Sequence, residues 1–422
     1  MSREVPEGWT SVRLSALVEI ERVSFSINEI NSFDSVRLYS LPAFDSGAVP
    51  EKTAGSEVLS NKYRVPADCI LFSKLNPRIP RVWRVKHEHR EPALGSTEFW
   101  PLTPRKGNVD LDFLTSFLTS ADFLNSPEIT PASSTNSHQR VDRKAFENFE
   151  MLLPPLHEQR RIAEILSSVD EALVVTREVV EQTRKVKQGV LERLLTKGIG
   201  HTRFKQTEIG EIPEGWEVVE LQDVASVRTG LAKNKKEIPD AVELPYLRVA
   251  NVQDGYVDLS DLQTISVSRS RVERYSLMKG DVLMTEGGDY DKLGRGDVWD
   301  GAVKPCLHQN HVFAVRADQE RLIPEFLANL TASRSGKAYF QSCSKRSTNL
   351  ASINSTQVKQ FPVRLPDLSE QSEIVRVSKS FDAAISVATS NLSQQLRLKA
   401  ALMSDLLTGR RRVIDGLPMA AE

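Results

Sequence analysis

The chain is predicted to be an α+β protein built twice over, with a long two-helix coiled coil, and three observations predict it. Two signals recur in the same order: Val5-Pro6-Glu7-Gly8-Trp9 returns as Ile212-Pro213-Glu214-Gly215-Trp216, and Leu153-Pro154-Pro155-Leu156-His157-Glu158-Gln159 returns as Leu365-Pro366-Asp367-Leu368-Ser369-Glu370-Gln371. A spacing of about 210 residues is far longer than any solenoid repeat and marks a duplicated unit. Short apolar runs separated by Gly, Pro, Asn and Asp lie between the signals. A heptad pattern follows each second signal.

The mixed segments contain Cys69-Ile70-Leu71-Phe72, Val82-Trp83-Arg84-Val85, Asp281-Val282-Leu283-Met284 and His311-Val312-Phe313-Ala314-Val315. Runs of this length predict strands of a twisted, largely antiparallel sheet. Trp9 and Trp216 are expected to anchor the cores. In the helical segments, Ile162, Leu166, Val169, Leu173, Thr176, Val180, Thr183, Lys187, Val190 and Leu194 alternate steps of four and three. Their counterparts are Ile374, Ser378, Phe381, Ile385, Ala388, Leu392, Gln395, Lys399, Leu402 and Leu406. This is an a/d seam in both copies, so each helix seeks the other as partner. Pro155 and Pro366 mark the starts, Asp367-x-x-Glu370 has the form of a capping box, and Gly198 and Gly409 stand where C-terminal caps belong. A helix of roughly 38 residues extends about 57 Å.

Composition narrows the function classes. The 422 residues are 40% hydrophobic and 26% charged with net charge −1, an ordinary globular balance. No stretch approaches the roughly eighteen apolar residues that span a membrane, and the opening residues lack the apolar core of a signal peptide. Three widely spaced cysteines, Cys69, Cys306 and Cys343, fit a reducing compartment, so a cytoplasmic protein is expected. Basic residues do cluster locally: Lys74, Arg78, Arg81, Arg84, Lys86 and Arg90 in one unit, Arg228, Lys233, Lys235 and Lys236 in the other.

Catalytic machinery is missing. No Gly-rich loop ends in Gly-Lys-Ser/Thr, and no Ser nucleophile elbow or zinc-protease helix occurs. Asn76-Pro77-Arg78 lacks the second proline and the aromatic of an amino-methyltransferase motif and is expected to be a turn. Cys306-x-His308-x-x-His311 offers three ligands without a fourth, and Glu286, Asp289 and Asp291 lie in a Gly-rich loop. Neither is expected to hold a metal. No catalytic residue is assigned.

Taken in order, the Pro-Glu-Gly-Trp opening, variable domain, Leu-Pro-x-Leu-x-Glu-Gln and long helix, all given twice, resemble the specificity subunit of a Type I DNA restriction-modification system. The resemblance covers essentially the whole chain, and Gly280-Asp281-Val282-Leu283-Met284-Thr285-Glu286-Gly287-Gly288, Gln309-Asn310-His311-Val312-Phe313 and Ser347-Thr348-Asn349 add to it. It implies two pseudo-symmetric target recognition domains, residues 1–154 and 212–365, separated by an antiparallel coiled coil of helices 155–198 and 366–409. Residues 199–211 become a linker and 410–422 a tail. Each domain would read half of an asymmetric bipartite site in double-stranded DNA, and the helices would dock two modification (methyltransferase) subunits. The resemblance further implies that this chain binds no cofactor itself. S-adenosylmethionine, ATP and Mg would belong to the modification and the restriction/translocase subunits.

Base reading on this view falls to forked polar side chains and phosphate contact to the remaining basic ones. The candidates are Lys74, Asn76, Arg78, Arg81, Ser134, Thr135 and Asn136 in the first domain, and Lys292, Arg295, Gln309, Asn310, His311, Ser347, Thr348 and Asn349 in the second. The helices differ where His157, Arg160 and Arg161 face Ser369, Ser372 and Glu373, which leaves open whether both copies bind a modification subunit equally. The competing reading is a coiled-coil scaffold whose α+β domains bind proteins rather than DNA.

Overall fold

The computed structural model describes residues 5–105, 107–130, 139–232, 238, 240–346 and 351–413. They form two compact units, one gathering residues up to 177 and from 390 onward, the other residues 178–389. Each unit thus takes one mixed domain and a part of each long helix.

At the centre of the first unit is a four-stranded antiparallel sheet in the order Val18–Ile20, Phe99–Pro104, Asp68–Ser73, Val82–Lys86. The second unit repeats it as Ala225–Thr229, Val312–Ala317, Val282–Thr285, Gly296–Val298. Alternation along the central strand explains its unbroken apolar run. Ile70 and Phe72 face a core built with Leu111, Phe113 and Leu114, while Cys69 and Leu71 face Tyr39 and Trp83 on the other side. Val282 and Met284 against Leu283 do the same in the second unit. The outer sheets differ. One is five-stranded, running from Ser24–Phe25 to Glu51–Thr53 with one parallel pair; the other pairs Ala241–Leu247 with Gln263–Ser268 and Leu307–His308.

The two long helices run Leu156–Lys197 and Leu368–Leu406, 42 and 39 residues. Every seam position is buried or half-buried, and flanking positions such as Val174, Val175, Val179 and Val387 are exposed. Within each unit the helices are antiparallel. Asp170 bonds Lys399 in the first unit and Lys187 bonds Asp382 in the second. The two lysines that interrupt the apolar seam are therefore each matched by an aspartate from the opposite helix, which fixes register at modest energetic gain.

The duplicated signals meet at the helix starts. Trp9, 4% exposed, donates its Nε1–H to Glu158 at 3.1 Å, and Arg412 grips the same carboxylate with Nε and Nη2 at 2.8 and 2.9 Å. In the second unit Trp216 donates to Glu370 at 2.8 Å, with His201 Nε2 and the Ile199 amide at 2.9 and 2.7 Å. The neighbouring glutamines complete the joint. Gln159 accepts from Asp110 N–H and donates to the Pro154 and Asn108 carbonyls; Gln371 accepts from Ile323 N–H and donates to Pro366 and Arg321. The border strands Thr10–Arg13 with Glu150–Leu153, and Glu217–Glu220 with Pro362–Leu365, lead into these joints.

This geometry corrects two sequence expectations. The capping box at Asp367 is only half formed: Asp367 accepts from the Glu370 amide, but the Glu370 carboxylate turns to Trp216 and His201 instead of back to Asp367. A buried indole N–H is costlier to leave unpaired than a solvent-facing amide. Residues 199–211 are also more than a linker. They hold most of a hairpin, Phe204–Thr207 against Gly210–Pro213, with a left-handed Gly210 at its turn. Gly198 and Gly409 both take positive φ after the helix ends, and a Cβ on Gly198 would meet Glu370 Oε1 at 2.5 Å.

Burial raises the pKa of Glu158, but the hydrogen bonds from Arg412 and Trp9 more than offset it, and the net shift is downward. A carboxylate lowered on folding stabilises above its unfolded pKa, near 4.3, and loses that contribution as pH falls through the lower folded value. Glu158→Gln is expected to lower stability by about 3 kcal/mol at pH 7, with the deficit shrinking below about pH 4, measured by denaturant unfolding across pH.

Candidate nucleic-acid interface

In each unit the loop that leaves the central strand is tied to the same two neighbours. In the first, Lys74 N–H donates to the Glu98 carbonyl at 3.0 Å, Val141 N–H donates to the Lys74 carbonyl at 2.8 Å, and Asn76 N–H donates to Gln139 at 2.7 Å. Leu75 and Arg140 form an antiparallel bridge. In the second, Glu286 N–H donates to His311 at 2.9 Å and Ile353 N–H to Glu286 at 2.8 Å, while Gly287 and Gly288 pair with Ser352 and Ala351. Asn76 and Gly288, at φ +51° and +147°, turn the chain at the same point.

These ties bring several candidates together. Lys74 and Asn76 are half-buried and Arg78 exposed at the loop that meets residues 139–141. Arg140, which the sequence reading passed over, forms a bidentate pair with Glu98 at 2.8 and 3.1 Å. Its link to the loop is a backbone bridge with no sequence signal. In the second unit His311 is exposed, bonds Glu286 through Nδ1, and faces the Asn310 amide through Nε2 at 3.3 Å. Gln309 and Asn310 are half-buried, and their backbone N–H groups donate to the Leu247 and Leu231 carbonyls. Lys292 is exposed and pairs with Asp289, and Arg295 is half-buried. Ser134, Thr135, Asn136, Ser347, Thr348 and Asn349 lie outside the described residues.

Among the described residues the basic runs are broken up by pairing with acids of the same domain. Arg81 is held by Asp45 in a bidentate pair at 2.7 and 2.8 Å with its side chain 15% exposed, so it is committed to the domain's own structure. Arg84 bonds Asp112 and the Cys69 carbonyl, and Lys86 bonds Asp112. Strand alternation sends them to the domain's acids. In the second unit Arg228 turns inward with Arg316 onto Asp281, whose side chain is 1% exposed; Lys233, Lys235 and Lys236 lie outside the described residues. The Cys306-His308-His311 triplet is also dispersed. His308 is buried with Nδ1 on the Val312 carbonyl, and burial pushes its pKa down to about 4. Among the described residues no group of three His, Cys, Asp or Glu side chains is placed to hold a metal.

The model of the Type I restriction modification DNA specificity domain matches residues 6–182 and again 213–398, the same two segments that the fold duplicates. The chain belongs to this family. It is 31% identical over 207 residues to a putative type I restriction enzyme MjaX specificity subunit from Methanocaldococcus jannaschii, covering 49% of this chain and 48% of that one. The MjaVIII specificity subunit of the same organism is 29% identical over 282 residues, 65% of this chain and 64% of its own length. The matched part thus spans between about half and just under two-thirds of these curated relatives. In fold, the chain is similar to one solved in work on complex assembly and conformational transition of the type I R-M system, with TM-score 0.65 at 18% identity over 97% of this chain and 100% of that one.

Arg81 is thus a brace of its own domain. Arg81→Ala is expected to lower the unfolding temperature of the first unit by several degrees, as loss of a half-buried bidentate pair costs about 2 kcal/mol. Arg78→Ala, at an exposed position, is expected to lower it by less than Arg81→Ala does. Calorimetry of both variants distinguishes the two roles.

Proposed function

We propose that this chain is the non-catalytic DNA-reading subunit of a Type I restriction-modification complex. Each recognition domain reads one half of an asymmetric bipartite site in double-stranded DNA and directs adenine methylation or restriction by its partners. The observation that carries the reading is the duplication itself. The borders of the two units repeat the tryptophan–glutamate and glutamine contacts, whereas the loops held at equivalent places carry different side chains, Lys74-Leu75-Asn76 in one and Glu286-Gly287-Gly288 in the other. Like supports with unlike tips suit two different half-sites. Lys74, Asn76, Arg78, Arg140, His311, Asn310, Gln309, Lys292 and Arg295 are the described residues nearest this task, and Ser134, Thr135, Asn136, Ser347, Thr348 and Asn349 are further candidates by sequence.

Modification subunits dock on the long helices in this reading, two of them, and restriction/translocase subunits join the assembly. Exposed Val174, Val175, Val186, Val387, Leu396 and Leu398 on those helices support it, being apolar side chains that a partner would cover. S-adenosylmethionine, ATP and Mg are held by the partners. A cytoplasmic setting is supported by three cysteines that are free thiols and by the lack, among the described residues, of a helix long and apolar enough to cross a membrane.

Reconstitution with the modification subunits and sequencing of methylated bases in a random DNA library tests the proposal. One asymmetric bipartite motif is expected, with affinity falling by a factor of about 10³ or more between 50 and 200 mM salt. Exchange of residues 212–365 for another recognition domain should change one half of that motif. Methylation without site preference, or binding indifferent to salt, would contradict it.

A further inference from the structure

The backbone ties of the two loops make a residue-by-residue equivalence that sequence comparison does not reveal. Lys74 and Glu286 each donate an amide to the residue just before a central strand, Glu98 and His311, and each accept an amide, from Val141 and Ile353. Position by position, Lys74 corresponds to Glu286, Glu98 to His311, and Arg140 to Ser352. One structural site therefore carries opposite chemistry in its two copies.

In the first unit the site is rich in donors. Arg140, its side chain 54% exposed, is oriented by the bidentate bond to Glu98, and the ammonium of Lys74 makes no side-chain hydrogen bond among the described residues. The hydrogen bonds from Arg140 and the nearby positive charge of Lys74 hold the Glu98 carboxyl below the usual range. In the second unit the site is an acceptor. The Nδ1–H of His311 donates to Glu286 Oε2 and the Asn310 amide donates to its Nε2, a pattern that one neutral ring tautomer satisfies. Oε1 of Glu286 makes no hydrogen bond among the described residues, and Ser352 stands at the position of Arg140.

We propose that this site is a specificity switch: Lys74 and Arg140 read an acceptor edge, guanine O6 or N7, in one half-site, and Glu286 reads an exocyclic amine, cytosine N4 or adenine N6, in the other. Glu98 and His311 are positioning residues. The chemistry follows from groove edges, where guanine presents two acceptors to cationic donors and amino groups seek carboxylates. The inference rests on the DNA-reading function proposed above and adds which positions set each half.

The test uses the full chain assembled with its modification subunits and a DNA library randomised at every position of the site. Glu286→Gln is nearly isosteric and is expected to reduce discrimination at one base pair of the second half-site about tenfold or more, with the first half unchanged and melting temperature intact. Lys74→Gln with Arg140→Gln should act on the first half alone. The double variant Glu286→Lys, His311→Glu places the first unit's chemistry in the second and should change the preferred base there. Wild-type preference at every position in Glu286→Gln overturns the proposal while leaving the DNA-reading function standing. Loss of all methylation in that variant at unchanged melting also overturns it, because a single reading contact sets preference and not assembly. A wild-type complex with no bipartite preference would instead remove the function on which the inference rests.

Discussion

Glu158 and Glu370 each stand where three stretches of chain meet: the Pro-Glu-Gly-Trp opening of a recognition domain, the first turn of one long helix, and the segment that follows the end of the other. A carboxylate buried to 2% exposure at Glu158 is tolerable only because an indole N–H and a guanidinium meet it. Removing any one partner leaves a charge or a donor stranded in the interior. The requirement accounts for the spacing of the duplicated signals. Trp9 and Trp216 lie far from their glutamates in sequence, yet each is recognisable because the pair must form together, and the following glutamine closes the backbone around it.

The two joints use the same frame and different cations. Arg412 presents two parallel N–H groups to Glu158 and also reaches the Glu7 carbonyl, while its guanidinium lies 5.7 Å from the centre of the Trp9 ring. His201 reaches Glu370 through one ring nitrogen, and the Ile199 amide supplies the second donor. A planar guanidinium fork with two parallel N–H groups and a single imidazole nitrogen are not interchangeable. The joint that closes the chain back onto its own beginning carries the fork.

Much of this was legible in the sequence, and the reasons are physical. The heptad seam showed because helical burial repeats at a period no other element shares, and its lysines proved to be matched by Asp170 and Asp382 at positions one-dimensional reading leaves on the flanks. The strands Asp68–Ser73 and Val282–Thr285 showed because both of their faces are buried. What stayed hidden depends on who meets whom. The Glu370 carboxylate has a local partner in the capping pattern and a distant one in Trp216, and burial decides for the distant one. Arg81, Arg84 and Arg228 counted as DNA-facing charge until their acids, Asp45, Asp112 and Asp281, came to them from other elements. Arg140 was invisible for the opposite reason, since only a backbone bridge to Leu75 brings it beside Lys74.

That one carboxylate holds a domain opening, a helix start and the other helix's end is the central claim, and amide hydrogen exchange tests it directly. In Glu158→Ala, protection is predicted to fall together in residues 9–14, in the first turns after Leu156 and in the last turns before Gly409, while the matching segments around Trp216, Glu370 and Gly198 keep theirs. Loss confined to the first turn after Leu156, with the segment before Gly409 as protected as in the unaltered chain, would contradict it.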